Sequence, residues 1–506
     1  MAERVLVLGA GMAGLFAALA LAPGTRDILI LDRDPPPPGD APDAVFEDWR
    51  RRGVGQFRHS HGFLARLRSV IARRHPALLA ALVAAGCEEI AFDRMMPAAL
   101  RARYEPAPGD DEVVILTSRR STFELVLRRY VEALPRVTLC ANAFVRDLVI
   151  EDAGGTLRVA GARGERDGEP VTWRADIVVD AQGRLSDCAA QLAGAGAPVR
   201  EAAEPCGILY FTRHFRQIGP EPPPSRATAT GDLAYLKYGR FPGDNAHFSV
   251  TLAVPEIETA LRQAVVDPAV FDRICTLLPG LAGWVAPDVA EPASRVYGMG
   301  DLESRWRRFT SPDRRAAHGF FALGDSLVRS NPLYGRGCTF AAVQSDILAG
   351  VLDDAHDPAV RARLYETRVE TALRAYYDDM RAQDRGAIRR AEQALDPGAR
   401  PTLQTRLLQS FVDDGVRIAV RGDLGLLRAA IREFNMLDPP GVWARQPATL
   451  VKAAGRWARG RRANAGLYPP PPGPGRLEML TALGLSPAAG PGLALATVSG
   501  DNSGAS

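Results

Sequence analysis

The stretch VLVLGAGMAGLFAALALAPGTRDILILD, residues 5–32, decides how the rest of the chain is read. Val5, Leu6, Val7 and Leu8 form a short uninterrupted apolar run, the pattern of a parallel strand buried on both faces. Gly9, Gly11 and Gly14 follow at G-x-G-x-x-G spacing and open an Ala/Leu-rich segment, Met12 to Ala22, of high helix propensity. Pro23-Gly24 ends that helix, and Asp27 to Leu31 reads as a second strand closed by Asp32. Each part has a physical task. Gly9 permits the tight turn, Gly11 lets a pyrophosphate approach the backbone, and Gly14 lets helix and strand pack closely. The helix N-terminus offers unpaired N–H groups and a positive dipole end to the phosphates. Asp32 stands where a carboxylate accepts ribose hydroxyls. Glycine spacing alone is weak, but strand, helix, second strand and acid occur here in order, which predicts a dinucleotide site. A secretory signal is the bland rival for this apolar stretch; the glycines interrupt it and the leading residues carry both Glu3 and Arg4, so it is rejected.

At 506 residues the chain is long enough for two or three intertwined domains. A net charge of +3 gives no nucleic-acid footprint. Lys237 and Lys452 are the only lysines, so the positive charge is nearly all arginine. The six cysteines contain no C-x-x-C pair and the seven histidines no H-E-x-x-H, so free thiols and no metal site are expected. No apolar run has transmembrane length, and the expectation is a soluble, cytoplasmic protein.

Outward from the first stretch, Pro35 to Pro38 mark an extended loop. It leads to RRRGVGQFRHSHGFLARLRSVIARRH, where Arg58, His59 and His61 precede an amphipathic helix over 62–74. These side chains read either as a solvated basic helix start or as groups facing a cofactor; periodicity does not choose. Ser118 is placed to cap a helix carrying Arg120, Phe123, Leu127 and Tyr130. Residues 137–141, 143–150 and 157–160 read as a small antiparallel sheet. Residues 177–179 return to a buried strand ending in Asp180-Ala181-Gln182-Gly183, a second strand-to-helix turn aimed at the same ligand. From 196 to 310, strand-like segments alternate with Pro-rich turns, an inserted antiparallel sheet that supplies Tyr210, Phe211, Tyr235, Tyr238, Phe241 and Phe248 as wall or core.

A second informative stretch is HGFFALGDSLVRSNPLYGRGCTFAAVQSDILAGVL, residues 318–352. A buried strand, 320–323, ends at Gly324-Asp325; Asn331-Pro332 leads to Gly335-Arg336-Gly337 and a helix from Cys338. A dipole end and glycines suit an anionic ligand edge, such as the N1–C2=O edge of a reduced flavin, and Asp325 suits a ribityl hydroxyl. Helices follow over 358–397, 402–416 and 423–436. Residues 443–462 carry Arg445, Lys452, Arg456, Arg459, Arg461 and Arg462 with Trp443, Leu450, Val451 and Trp457, a pattern shared by a solvated helix and by one lying on an anionic membrane surface. Tyr468 and four prolines mark a boundary, and 487–506 reads as a disordered tail.

Several of these motifs together carry a resemblance: GAGMAG…LD at 9–32, RGVGQFRHSHGFL at 52–64, R-x-x-F-E at 120–124, VVDAQGRLS at 178–186 and GDSLVRSNPLYGRGCT at 324–339. The chain resembles the FAD-dependent monooxygenases of p-hydroxybenzoate-hydroxylase-like fold, and among them the bacterial polyene epoxidases of polyether pathways. The resemblance implies an α/β fold: a Rossmann-type FAD-binding domain in two parts (1–195 and 311–355), an inserted antiparallel-sheet substrate domain (196–310) and a C-terminal helical region (356–486). By motif, Gly9, Gly11, Gly14 and Asp32 would hold the ADP half of FAD, Arg58 would lie near pyrophosphate or flavin, and Arg120 would contact the cofactor. Asp325 would bind the ribityl chain, and Pro332, Gly335 and Gly337 would line the isoalloxazine. Arg58 and His61 are the candidate catalytic residues, for hydrogen bonding beside a flavin C4a-hydroperoxide; Tyr210, Tyr235 and Phe248 are the candidate substrate contacts. The chain departs from the family pattern at Gly55, Gln182, Arg336 and Cys338, and Arg336 puts a cation beside the flavin pyrimidine edge.

The implied reaction inserts one oxygen atom of O2 into a lipophilic alkene or aromatic compound, by epoxidation or hydroxylation. NADPH or NADH would supply electrons, directly or through a separate flavin reductase, since the chain has no second Rossmann motif. A flavin-dependent halogenase is a rival, but its W-x-W-x-I-P segment and early lysine are missing. A flavin-dependent reductase of prenyl chains shares the fold, and a non-catalytic flavin-binding regulator ranks last.

Overall fold

The computed structural model describes residues 2–153, 156–222, 227–310, 316–396, 398 and 402–486; the expected tail at 487–506 lies outside the described residues. The first apolar run forms β1 (Arg4–Leu8), and Val5 to Leu8 are each at most 1% exposed, as an apolar run without alternation requires. Helix α1 (Met12–Leu21) is apolar all round and correspondingly buried, and β2 (Asp27–Leu31) returns parallel to β1. Helix α2 (Arg120–Glu132) crosses to β3 (Val137–Cys140), which pairs parallel with β2. The assignment of 137–141 to an antiparallel sheet is therefore corrected. An edge strand of a parallel sheet has one wet side, so its half-alternating pattern matches that of an antiparallel strand.

On the other side of β1, β4 (Ile177–Asp180) pairs with it in parallel, and β8 (Phe320–Ala322) pairs in parallel with β4. The order β8-β4-β1-β2-β3 reverses direction of travel between β1 and β4, which opens a crevice at the C-terminal ends of these strands. Before β8, the chain builds a second, antiparallel sheet around β5 (Ile208–Gln217), β6 (Lys237–Pro242) and β7 (His247–Pro255). Residue 210 lies beside 253 and 253 beside 237, so Tyr210, Ala253 and Lys237 form one cross-strand row; Thr212, Thr251 and Gly239 form the next on the same face. Strand 303–308 pairs with 200–205 on one side and with 328–329 on the other, in a small separate sheet that spans the expected break at 310/311.

Helix α3 (Gly337–Asp354) packs against α1, and helix α4 (Pro358–Leu395) follows. With 38 residues, α4 is about 57 Å long and ties the two sheets together. Its Arg361 bonds Glu3 beside β1, while its far end gives Asp384 to Asn331 and Arg390 to Asp232 of the antiparallel sheet. The predicted 402–416 helix is present and runs on to Gly422, with 403–410 and 417–422 α-helical and 411–416 a π-helical stretch between them. Gly415 there lies so near the basic helix Pro447–Ala463 that an added Cβ would stand 3.0 Å from the Ala453 carbonyl. That basic helix is anchored by Lys452–Asp423, Arg461–Asp414 and a Trp457–Ser410 hydrogen bond, leaving Leu450 and Val451 exposed. Among the described residues no helix is long and apolar enough to cross a membrane.

Candidate functional site

One continuous cavity of about 1310 Å³ runs from the first glycine turn to the antiparallel sheet. At its origin Gly9 has φ +102°, and a Cβ on Gly14 would lie 1.8 Å from the Gly9 carbonyl oxygen, so both positions require glycine. Helix α1 begins at Gly11 with no side-chain cap and no acidic residue in its first turn. Its N–H groups and dipole are left to a ligand anion.

Asp32 lines the cavity but is more heavily engaged than its motif position suggests. Its Oδ2 accepts from Arg51 at 2.5 Å and Arg128 at 2.8 Å, and its Oδ1 accepts the Asp34 N–H at 3.2 Å. A carboxylate has about four lone-pair positions, which leaves one for a ribose hydroxyl. Arg51 is the centre of this corner: its side chain is 1% exposed, it donates to the Ala10 carbonyl at 2.8 Å, and it pairs with Glu124 at 2.7 Å. Although burial opposes its charge, Glu124, Asp32 and Asp34 outweigh that and raise its pKa. Sequence reading assigned no role to Arg51 or Arg128, and took Glu124 only as the last residue of R-x-x-F-E. In a run such as Arg50-Arg51-Arg52 nothing local marks which arginine turns inward.

Arg58 is the converse case and is corrected. Its guanidinium donates to the carbonyls of Phe46 (2.9 Å) and Glu47 (2.8 Å), so it braces the loop and does not line the cavity. His61 does line the cavity, yet its Nδ1 bonds the His59 carbonyl (2.9 Å) and its Nε2 accepts from Arg120 (3.3 Å). Both ring nitrogens are committed, and burial followed by the Arg120 charge lowers its pKa to about 3. His61 is therefore a neutral support for Arg120 and keeps no N–H for direct hydrogen bonding in the cavity. Arg120 lines the cavity and is held by Glu124 at 3.1 Å. Ser118 does not cap α2; its hydroxyl goes to the Arg119 carbonyl and Asp244, which ties α2 to the turn between β6 and β7.

At the end of β8, Asp325 faces the cavity with a carboxylate that makes no hydrogen bond or ion pair among the described residues. Burial raises its pKa against the pull of Arg329, Arg120, Arg305 and Arg184. Asp180, at the end of β4, is internal: it accepts from Ser186 (2.5 Å), Ser326 (3.2 Å) and the Gln182 N–H (3.1 Å), locking the two strand ends together. Pro332, Gly335 and Gly337 all line the cavity, and α3 begins beside them with no acidic first turn. Asn331 and Tyr334 are fixed from behind: each donates to Asp384 Oδ1, at 2.8 and 2.9 Å, and Asn331 Oδ1 accepts from Tyr210 at 2.6 Å. Arg336 points the other way, toward the Tyr376 carbonyl (2.5 Å) and Asp379 (3.0 Å) on α4. The expectation of a cation at the ligand edge is corrected accordingly.

The antiparallel sheet forms the other wall. Of the three aromatic residues expected to meet substrate, Tyr210 lines the cavity, while Phe248 stacks on Phe215 at 5.4 Å in the sheet's own core. Tyr235 is also core, and its hydroxyl donates to the Pro474 carbonyl at 2.8 Å. Strand alternation gives two faces, and the sequence alone does not say which one faces the cavity. The cavity face instead carries a chain of hydroxyls: His59 Nδ1 to Thr212 (3.0 Å), Thr212 to Thr251 (2.8 Å), Thr251 to Ser60 (2.7 Å). Burial lowers the His59 pKa to about 4, so this chain begins at a neutral imidazole. Pro469, Pro470 and Pro472 close the wall, strapped down where Tyr238 donates to the Pro472 carbonyl at 2.7 Å. The proline run read as a boundary is thus part of the site. Among the described residues no group of His, Cys, Asp and Glu is arranged to hold a metal ion.

Comparison with known proteins agrees with this geometry. Residues 4–203 match the family described as FAD binding domain. No curated protein matches the chain. Among solved structures, the fold is similar to p-nitrophenol 4-monooxygenase PnpA from Pseudomonas putida DLL-E4, with TM-score 0.58 at 15% identity over 87% of this chain and 99% of that one. It is similar to the flavin-dependent brominase Bmp2, with TM-score 0.57 at 16% identity over 91% and 100%. OxyS anhydrotetracycline hydroxylase from Streptomyces rimosus gives TM-score 0.54 at 16% identity over 87% and 76%. The chain has the α/β fold of these structures, and its residues 4–203 carry the match to the FAD binding domain.

Proposed function

We propose that this protein is an FAD-dependent monooxygenase, working in the cytoplasm, that transfers one oxygen atom of O2 to a lipophilic alkene or aromatic compound. Epoxidation or hydroxylation would result, with electrons from NADPH or NADH taken directly or through a separate flavin reductase. The observation that carries this reading is the single cavity joining the dinucleotide turn to an antiparallel wall, with the 331–337 loop between them. The likeness of 52–64 and 324–339 to bacterial polyene epoxidases favours an alkene.

The residues present fit FAD. Gly9, Gly11 and Gly14 with the free end of α1 would receive the pyrophosphate, Asp32 one ribose hydroxyl, and the unpartnered Asp325 carboxylate the ribityl chain. Pro332, Gly335 and Gly337 would border the isoalloxazine, and the neutral His61 would keep Arg120 turned into the cavity. When bound, the flavin supplies the redox and oxygen chemistry. The protein's own part is to hold, orient and shield. Tyr210 and the Pro469–Pro472 strap line that wall, and Ser60, Thr251, Thr212 and the neutral His59 form one hydrogen-bonded chain along it.

The test is product analysis with isotope-labelled O2, NADPH, a reductase and a panel of conjugated alkenes and phenols, with and without bromide. One labelled oxygen per product supports the proposal. Product formed without oxygen would replace it with the prenyl-reductase reading, and a brominated product with the halogenase reading.

A further inference from the structure

Lys237 is one of two lysines in a chain whose other 60 basic residues are arginine, and it alone of the two lines the cavity. It stands in the row Lys237, Ala253, Tyr210, which runs across β6, β7 and β5 on the cavity face. Two strand spacings separate the ends of that row, roughly 10 Å. One end holds an ammonium group and the other a tyrosine bonded to Asn331, beside the loop assigned to the isoalloxazine. Between them lies the methyl of Ala253, and in the next row stand Gly239, with the Phe241 ring against it, and Thr251, whose hydroxyl bonds Ser60. The row is a shallow apolar trough with a cation at one end.

We propose that Lys237 binds the carboxylate of the substrate, and that the substrate is an apolar chain or ring system bearing that carboxylate about 10 Å from the position that reacts. This rests on the monooxygenase reading for which end of the trough is reactive. The side chain of Lys237 is 15% exposed, and the counter-ion found for it among the described residues is Asp232, at 3.4 Å. Asp232 is a shared and loose partner: its Oδ1 accepts the Ala234 N–H at 2.9 Å, its Oδ2 also meets Arg390 at 3.4 Å, and its side chain is 41% exposed. An ammonium carries three donors, so Lys237 keeps capacity toward the cavity. An arginine here would close a planar fork on Asp232 and turn away from the trough; a compact ammonium on a flexible stem does not. Two other cations that line the cavity are engaged elsewhere: Arg329 bonds Glu303 and Arg417 pairs with Asp413.

The test uses the FAD-loaded full chain and two probes, cis-parinaric acid and its methyl ester, which differ only in the charge of the head group. Fluorescence titration is expected to give about tenfold tighter binding of the acid, the effect of one charged hydrogen bond. Lys237→Met is expected to abolish that preference, and Lys237→Arg, whose fork closes on Asp232, to lose most of it. Because the chain has only two lysines, reductive ¹³C-methylation gives an independent reading on the wild-type protein, whose lysines keep their charge. The Lys237 signal is expected to move with the acid and not the ester, with exposed Lys452 as the fixed reference. Equal binding of acid and ester, or a preference that survives Lys237→Met, would overturn the anchor alone. If FAD binds and neither probe does, the lipophilic-substrate reading falls with it.

Discussion

Two glycines three residues apart in the first turn predict opposite outcomes when each is given a methyl group. Gly11 has φ −80° and ψ −172°, ordinary extended backbone, and an added Cβ would find nothing nearer than Val54 Cγ2 at 3.9 Å. Gly11→Ala therefore fits the cofactor-free fold. Its cost is that of a poorer helix cap, below about 1 kcal/mol. The same methyl would stand at the open end of α1, where the phosphates are assigned. Loss of one or two charge-assisted hydrogen bonds there, at about 1.5–3 kcal/mol each, weakens FAD binding by roughly tenfold to ten-thousandfold. Gly14→Ala places its Cβ 1.8 Å from the Gly9 carbonyl, so the turn itself must break. Thermal unfolding of the cofactor-free variants and flavin-fluorescence titration separate the two effects. Gly11→Ala should melt close to wild type and fail to bind, whereas Gly14→Ala should fail at both. A Gly11→Ala protein that binds FAD within about threefold of wild type would refute the placement of the phosphates on α1.

Two further substitutions probe buried charge. Arg51→Met leaves Asp32 with Arg128 and Glu124 with Arg120, but strips the central cation from a buried network, and urea unfolding should show a loss of about 3–5 kcal/mol. A loss under about 1 kcal/mol would mean the network reorganises around Arg128 and Arg120. Burial lowers the His214 pKa to about 3, against 6.5 when unfolded. Only the unfolded chain takes up that proton as pH falls from 6.5, so the stability is intact above 6.5 and is lost toward 3 at about 1.4 kcal/mol per pH unit. His214→Phe, which keeps the ring packing on Phe46 and Tyr297, should flatten the acid limb by that one-proton slope; parallel curves would sink the assignment.

The β1–α1–β2 unit was legible because every local signal in it agrees: full burial gives an unbroken apolar strand, and the glycine spacing answers to one geometry. The same holds for β4 and β8, whose apolar runs end in Asp180 and Gly324-Asp325. What sequence did not show are features fixed by partners distant in the chain. Arg51 and Arg58 sit in one basic segment, and only the turn over 53–57 sends the first to Asp32 and the second to the carbonyls of the preceding helix. Tyr210 and Phe248 lie on neighbouring strands with the same alternation, and which face meets the cavity depends on how the sheet is laid against the 331–337 loop. Tyr235 and Tyr238 became legible as anchors only once the proline run was found against them.

Arg336 makes the same point with an electrochemical consequence. Read in sequence, it sets a cation beside the flavin and would raise the reduction potential by stabilising the anionic reduced form. In the fold its guanidinium is 40 residues away in partnership, bonded to the Tyr376 carbonyl and Asp379, and its charge is neutralised there. What remains for the flavin edge is the N-terminus of α3, a partial charge that substitution of Arg336 does not remove. Arg336→Gln should therefore lower stability, because Asp379 loses its cation and keeps only the Gln383 amide, yet move the midpoint potential by less than about 30 mV, equivalent to 1.4 kcal/mol for a two-electron couple. Both are read on one sample, by thermal unfolding and by equilibrium dye titration. A fall in potential of more than about 60 mV with unchanged stability would show that the guanidinium reaches the cofactor after all, and that α4 does not hold it.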